Sequence, residues 1–294
     1  MKYLKTYKLF ESNSKTVAIY SENDCEKVND SVTDLEIMYN IKKITKLPSN
    51  LKTLKCYERG LTELPELPDT LERLIISNNN ISEIKYLPNN LQTLQCSKNN
   101  LTKLPELPKT LHTLVCVNNK ISNLPELPET LEELNCKHNN LSELPELPNN
   151  LLYLLCSNNK LIKLPELPNK LISLFCPNNQ LINLPKLPKT LKEIYCYKND
   201  LIEIPKIPSS IKYISFDYNP LKKLPEGLTK KMIDGCEHSY IQSNVLTWLI
   251  NDPSCYRMIK GYLTEAQQKY FEENGIEGIE DLNQFGMFGL KNDK

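Results

Sequence analysis

Ten cysteines and three histidines are the residues in this chain best suited to chemistry. A thiolate beside an imidazole can act as a nucleophile, four converging thiols or imidazoles can hold zinc, and facing thiols can form disulfides. Spacing decides among these. Cys56, Cys96, Cys116, Cys136, Cys156, Cys176 and Cys196 fall in one column of a twenty-residue period, and Ile76 and Phe216 fill that column where the thiol is missing. A position that accepts Cys, Ile and Phe asks for apolar volume, so the thiols read as small buried hydrophobes. Stacked on parallel strands about 4.8 Å apart, they all point one way, which is poor geometry for bridging neighbours. A row does not converge on a point either, as tetrahedral zinc requires. His112, His138 and His238 are scattered, so no Ser-His-Asp or Cys-His set assembles, and only 8 glycines leave no Gly-rich phosphate loop. The expectation is a protein that is not an enzyme and holds no metal or cofactor. An activity carried by Cys236, His238 or Cys255 near the C-terminus is the weakest reading.

The elements that position these columns come from the repeat itself. LQTLQCSKN from Leu91 returns as LHTLVCVNN from Leu111, LEELNCKHN from Leu131, LLYLLCSNN from Leu151, LISLFCPNN from Leu171 and LKEIYCYKN from Leu191. Regular copies start from Leu51 through Ile211, and a degenerate copy over Val32, Leu35, Ile37 and Asn40, one residue short, brings the total to about ten. A period of this length is the mark of a solenoid, in which each repeat packs only on its neighbours. In the copy from Leu111 to Thr130, Leu111, Leu114 and Cys116 face inward, and Leu114-Val115-Cys116 alternates as a short strand does. Asn119 follows, in the column of Asn79, Asn99, Asn139, Asn159, Asn179, Asn199 and Asn219. Amides at a sharp bend are expected to bond the backbone groups freed where the strand ends. Arg59 breaks the column, so a looser turn is expected there. The return arm, Ile121 to Pro128, carries Pro after each inward Leu, and proline favours an extended or polyproline-like arm over a helix. The solenoid should therefore curve gently, with its parallel sheet on the concave side and thin extended arms on the convex side.

The flanks differ. Residues 1–31 lack the repeat, with YKLF and TVAIY as candidate short strands, and read as an N-terminal cap. The solenoid spans 32–228. Residues 229–294 read as a small helical cap or module: Val245, Leu246, Leu249 and Ile250 approach a helical period, Asn251-Asp-Pro253 separates two helices, Thr264 to Gln267 forms a capping box and Gly275 sits at a C-cap. The charge balance, 36 basic against 36 acidic side chains, argues against nucleic acid or an anionic membrane as partner. No run of about 20 apolar residues is present to span a membrane, and the N-terminal residues have no apolar signal core. With a ladder of reduced thiols, an intracellular location is expected.

Leu111, Leu114, Cys116, Asn119 and Ile121 trace the consensus LxxLxLxxNxL, and the arm LPxLPxxLxxL accompanies it. The chain thus resembles the leucine-rich repeat family, in the short form found in bacterial effector proteins. Its Cys and Asn columns also resemble leucine-rich repeat proteins of giant DNA viruses of amoebae, which would make it a viral protein. The resemblance covers Val32 to Leu228. It implies a protein-binding scaffold acting through its concave face in the host cytoplasm. Some effector relatives carry a large ubiquitin-ligase domain with a catalytic Cys; the C-terminal stretch here is too short for one, so Cys236 and Cys255 inherit no such role.

The side chains between the inward columns are the candidate partner site. Polar residues dominate the early repeats, whereas the later ones place Tyr153, Leu155, Phe175, Tyr195, Tyr197 and Tyr213 near one another. No core demand explains them, and tyrosine-rich apolar surface is typical of contact sites. The other reading is internal: the C-terminal residues fold back over this patch. On the convex side Glu66, Tyr86, Glu106, Glu126, Glu146 and Glu166 give way to Lys186 and Lys206. That column reads first as a solvated face and second as a groove for a basic ligand. A protein-binding adaptor and a purely structural or self-associating solenoid are the two function classes left. The partner's identity and the oligomeric state are not encoded in these patterns.

Overall fold

The structure is a computed structural model and describes residues 16–19, 28–37, 44–56, 60–216, 218–221 and 225–227. Eleven strands lie in one parallel sheet in strict chain order: β1 Thr16–Ile19, β2 Asp34–Ile37, β3 Thr53–Lys55, β4 Arg73–Ile75, β5 Thr93–Gln95, β6 Thr113–Val115, β7 Glu133–Asn135, β8 Tyr153–Leu155, β9 Ser173–Phe175, β10 Glu193–Tyr195 and β11 Tyr213–Ser215. The architecture is a curved, all-parallel β-solenoid. From β3 onward each residue pairs with the one twenty positions later, as Thr53 does with Arg73. Asp34 pairs with Thr53, one residue short of that offset, which is the deletion read in the degenerate first repeat. β1 lies inside the stretch expected to be a cap and pairs parallel with β2, continuing the same sheet. The helical piece expected over 229–294 and the turn at Arg59 lie outside the described residues.

Each rung buries the same few side chains. Leu111, Leu114, Cys116 and Ile121 are fully buried, as are their equivalents Leu131, Leu134, Cys136 and Leu141 in the next rung. The strand alternation explains the middle of this set: in β6, Leu114 is buried between half-buried Thr113 and Val115. Proline leaves the return arms without the donors a helix needs, and among the described residues no arm is helical.

From β4 to β11 the asparagine column closes the corner after each strand. Asn119 Nδ2 lies 3.0 Å from the Cys96 carbonyl and 3.2 Å from the Cys116 carbonyl, and its Oδ1 accepts the Leu101 N–H at 3.0 Å. One amide thus ties two rungs and the start of the preceding return arm. Asn139, Asn159, Asn179 and Asn199 repeat this pattern, as Asn139 does with the Cys116 and Cys136 carbonyls and the Ile121 N–H. A second staple has a weaker sequence signature. The Thr110 hydroxyl lies 2.7 Å from the Asn89 carbonyl and 2.8 Å from the Leu91 carbonyl, and Thr70, Thr130 and Thr190 are placed alike. Where asparagine replaces threonine, its amide reaches the same part of the previous rung, as Asn150 Nδ2 does to the Glu129 carbonyl at 2.8 Å.

The corner also demands a left-handed residue just before each ladder asparagine. Asn78, Asn118, Asn158 and Asn178 meet the demand with a residue suited to it, but Lys98, His138 and Lys198 stand at φ 51°, 54° and 54°. A side chain of ordinary type in this region costs roughly 1–2 kcal/mol, and asparagine or glycine much less. Lys98→Asn is therefore expected to raise stability by about 0.5–1 kcal/mol, read as a higher denaturant midpoint. An unchanged or lower midpoint would show that the lysine is not strained.

Candidate functional site

The thiol ladder has the most constrained chemistry of the candidate groups. Cys56, Cys96, Cys116, Cys136, Cys156, Cys176 and Cys196 are all buried. Burial pushes the Cys116 and Cys156 thiols up to about 12. Burial, together with the neighbouring thiols, raises Cys96, Cys136 and Cys176 well above the usual thiol range. A thiol held neutral is neither nucleophile nor ligand. Among the described residues no group of His, Cys, Asp and Glu is placed to hold a metal ion.

The ladder has a consequence for stability at high pH. The folded thiols ionise later than unfolded ones, so the folded state keeps its protons while the unfolded state loses them. Stability is thus fully present below the unfolded thiol range near pH 9 and is lost as pH rises toward about 12. Unfolding midpoints are expected to fall steeply across that window, and less steeply in Cys116→Ala/Cys156→Ala. Equal slopes in the two proteins would remove the thiols as the cause.

On the solvent-facing side of the sheet, register decides which candidate residues meet. Leu155, Phe175 and Tyr195 are direct partners on β8, β9 and β10, so they form one continuous row of half-buried side chains. The Phe175 and Tyr195 rings stack with centroids 4.0 Å apart and planes at 28°. Lys137 Nζ stands 5.0 Å from the Phe175 ring centroid, a cation–π contact at the border of the row. Tyr153 and Tyr213, 41% and 42% exposed, do not adjoin each other. Ser173 and Glu193 separate them in the pairing, and Ser173 is itself buried, its hydroxyl 3.3 Å from Glu193 Oε2. The two tyrosines thus stand at the ends of the patch. Tyr197 is half-buried beside buried Pro177 in the following column.

Two further apolar residues belong beside this set. Leu152 and Ile172 are half-buried and lie in adjacent rungs, with the Ile172 N–H donating to the Leu152 carbonyl at 2.8 Å, immediately before the strands that carry Tyr153 and Phe175. The signal that finds them is the column itself, which holds Glu72, Gln92, His112 and Glu132 in earlier repeats and turns apolar only here. Asn135 Oδ1 and Ser157 Oγ, on the early side of the row, are buried without a hydrogen-bond partner, a state that costs roughly 1–3 kcal/mol for each group.

The opposite arm is less suited to contact. Tyr86 replaces glutamate in the acidic column and accepts the Leu67 N–H at 2.7 Å. Grooves of about 450 and 420 Å³ flank it, lined by residues that include Glu63, Glu66, Glu83 and Lys85. Lys206, after the column changes sign, pairs with Glu226. No helix among the described residues is long and apolar enough to cross a membrane.

In-register parallel strands, the asparagine corners and the extended arms define a leucine-rich repeat solenoid, and the chain is one that resembles bacterial effector leucine-rich repeat proteins. It is similar to YopM from Yersinia enterocolitica WA-314, with 37% identity over 68% of this chain and 44% of that one and a TM-score of 0.63. A Shigella effector leucine-rich repeat domain matches at 30% identity over 58% of this chain and 70% of that one, TM-score 0.44. YopM from Yersinia pestis matches at 27% identity over 69% and 76%, TM-score 0.43. The chain spans less than half the length of the Yersinia enterocolitica protein. No protein-family model matches the chain, and no curated protein matches it.

Proposed function

We propose that the chain is a protein–protein interaction module whose partner lies across the inner curve of the solenoid, on the late repeats. The observation that carries this reading is the row Leu155, Phe175 and Tyr195, flanked by the exposed rings of Tyr153 and Tyr213. The interior is complete without these side chains, because Leu154, Leu174, Ile194 and the thiol ladder fill it. Stacking also fixes the Phe175 and Tyr195 rings before a partner arrives, which reduces the ordering cost of binding. The resemblance to effectors supports a site of action in a host cell, with the cytoplasm as the compartment where a reduced ladder is stable. A viral source rests on the Cys and Asn columns alone.

Affinity capture from host-cell lysate with the wild type and with Tyr153→Ala/Tyr213→Ala tests the reading. A protein captured by the first and lost by the second, at unchanged unfolding midpoint, is the expected result. Equal capture by both would remove these residues from the site. The structural alternative predicts instead a sedimentation coefficient that rises with protein concentration and no selective capture.

A further inference from the structure

One column of the return arm carries Thr62, Ser82, Thr102, Ser122 and Ser142 in five consecutive repeats, then Ile162, Ile182 and Ile202 in the next three. The isoleucines are 54%, 50% and 38% exposed, and each follows a fully buried leucine, so the core does not need them. They lie in adjacent rungs in register: the Ile182 N–H donates to the Ile162 carbonyl at 3.5 Å, and the Ile202 N–H to the Ile182 carbonyl at 3.4 Å. Three such side chains at rung spacing make an apolar strip about 10 Å long. Serine and threonine fit the same backbone in the earlier repeats, so local conformation does not require isoleucine. A contiguous apolar strip held out to water marks a contact.

The position of the strip indicates what covers it. It occupies the three repeats just before the copy that starts at Ile211, and Gly227 is the last described residue. That residue has φ 90°, and a Cβ there would sit 2.5 Å from the Ile207 carbonyl oxygen. The Ile207 N–H also donates to the Glu226 carbonyl at 2.7 Å. Gly227 is thereby pinned to the return arm that carries Ile202. At roughly 3.3 Å per extended residue, Ile202 lies within about 17 Å of that point along the arm, and Ile162 two rungs beyond. Ile241 follows Gly227 by fourteen residues and opens the run IQSNVLTWLI, with Val245, Leu246, Trp248, Leu249 and Ile250. Fourteen residues reach roughly 45 Å when extended, so the run can span the strip. A short tether gives it an effective concentration on the order of millimolar, about a thousandfold above a second copy at micromolar concentration.

We propose that residues 241–250 dock on the strip formed by Ile162, Ile182 and Ile202 and hold the C-terminal part of the chain against the side of the solenoid. The strip is on the return arm and the aromatic row on the strands, so both surfaces can be occupied at once.

Trp248 is the single tryptophan of the chain and reports on this contact directly. In the full chain its emission is expected to be that of a shielded indole. Ile162→Ser/Ile182→Ser/Ile202→Ser, which restores the residue type of the earlier repeats, is expected to shift emission to longer wavelength and to raise acrylamide quenching several-fold. Identical emission and quenching in the two proteins would overturn the proposal. A photo-crosslinking residue at position 182 in the otherwise unchanged full chain gives a second measurement that does not depend on the triple variant folding. A crosslink within one chain to the peptide containing residues 241–250 is expected. A product of twice the mass would assign the strip to a second copy, and absence of that peptide from the crosslinked products would also overturn the assignment.

Discussion

Asn139→Ala is expected to destabilise the solenoid by about 2 kcal/mol, within the roughly 1–3 kcal/mol that one buried backbone group costs when left unpaired. Only the Ile121 N–H is left unpaired; the Cys116 and Cys136 carbonyls lose this amide but keep Asn119 Nδ2 at 3.2 Å and Asn159 Nδ2 at 3.1 Å. The Lys137 carbonyl, also within reach of the amide, keeps the Asn118 N–H at 3.0 Å and is not counted. Alanine is too short to reach any of them, and the site is too buried for water to take over at no cost. Coupling in a solenoid runs only between neighbours, so the damage is confined to the junction between two rungs. The denaturation curve should therefore broaden or split, as the halves before and after residue 139 unfold at different midpoints. A loss below about 1 kcal/mol with a single sharp transition would show that the ladder is not what couples the rungs.

The second large effect concerns binding. Once a partner is in hand, Tyr195→Ala is expected to weaken it by about 2 kcal/mol or more, which is roughly thirtyfold in affinity. The structure refines what else the substitution does. Tyr195 stacks on Phe175, so its removal also forfeits a ring pair worth about 0.5–1.5 kcal/mol. Tyr153 and Tyr213 stand more exposed at the patch ends and give the cleaner comparison. Isothermal titration of the three variants alongside their unfolding midpoints separates the two contributions. If affinity falls only in step with stability, the row serves packing and not recognition.

Much of this was legible in the residues. A thiol that alternates with Ile76 and Phe216 could only be interior, and an amide recurring at a bend could only serve the backbone. Both readings follow from chemistry that is the same in every rung, which is why the period exposes them. The aromatic cluster was legible as a set but not as an arrangement. The column itself set Ser173 and Glu193 between Tyr153 and Tyr213, but only the structure showed Ser173 buried and the Phe175 and Tyr195 rings stacked. The left-handed corner at Lys98, His138 and Lys198 had no sequence signal, because those residue types do not announce a positive φ.

The sequence by itself determined the repeat, the inward columns and the absence of any room for a helix in the return arms, since each is a local property copied from rung to rung. Tertiary structure decided what depends on neighbours across rungs: which rings touch, which amide reaches which carbonyl, and that Ile162, Ile182 and Ile202 lie outside the core. The physical reason is that stacking converts a spacing of twenty residues along the chain into a contact in space, and only the register fixes which side chains face each other there.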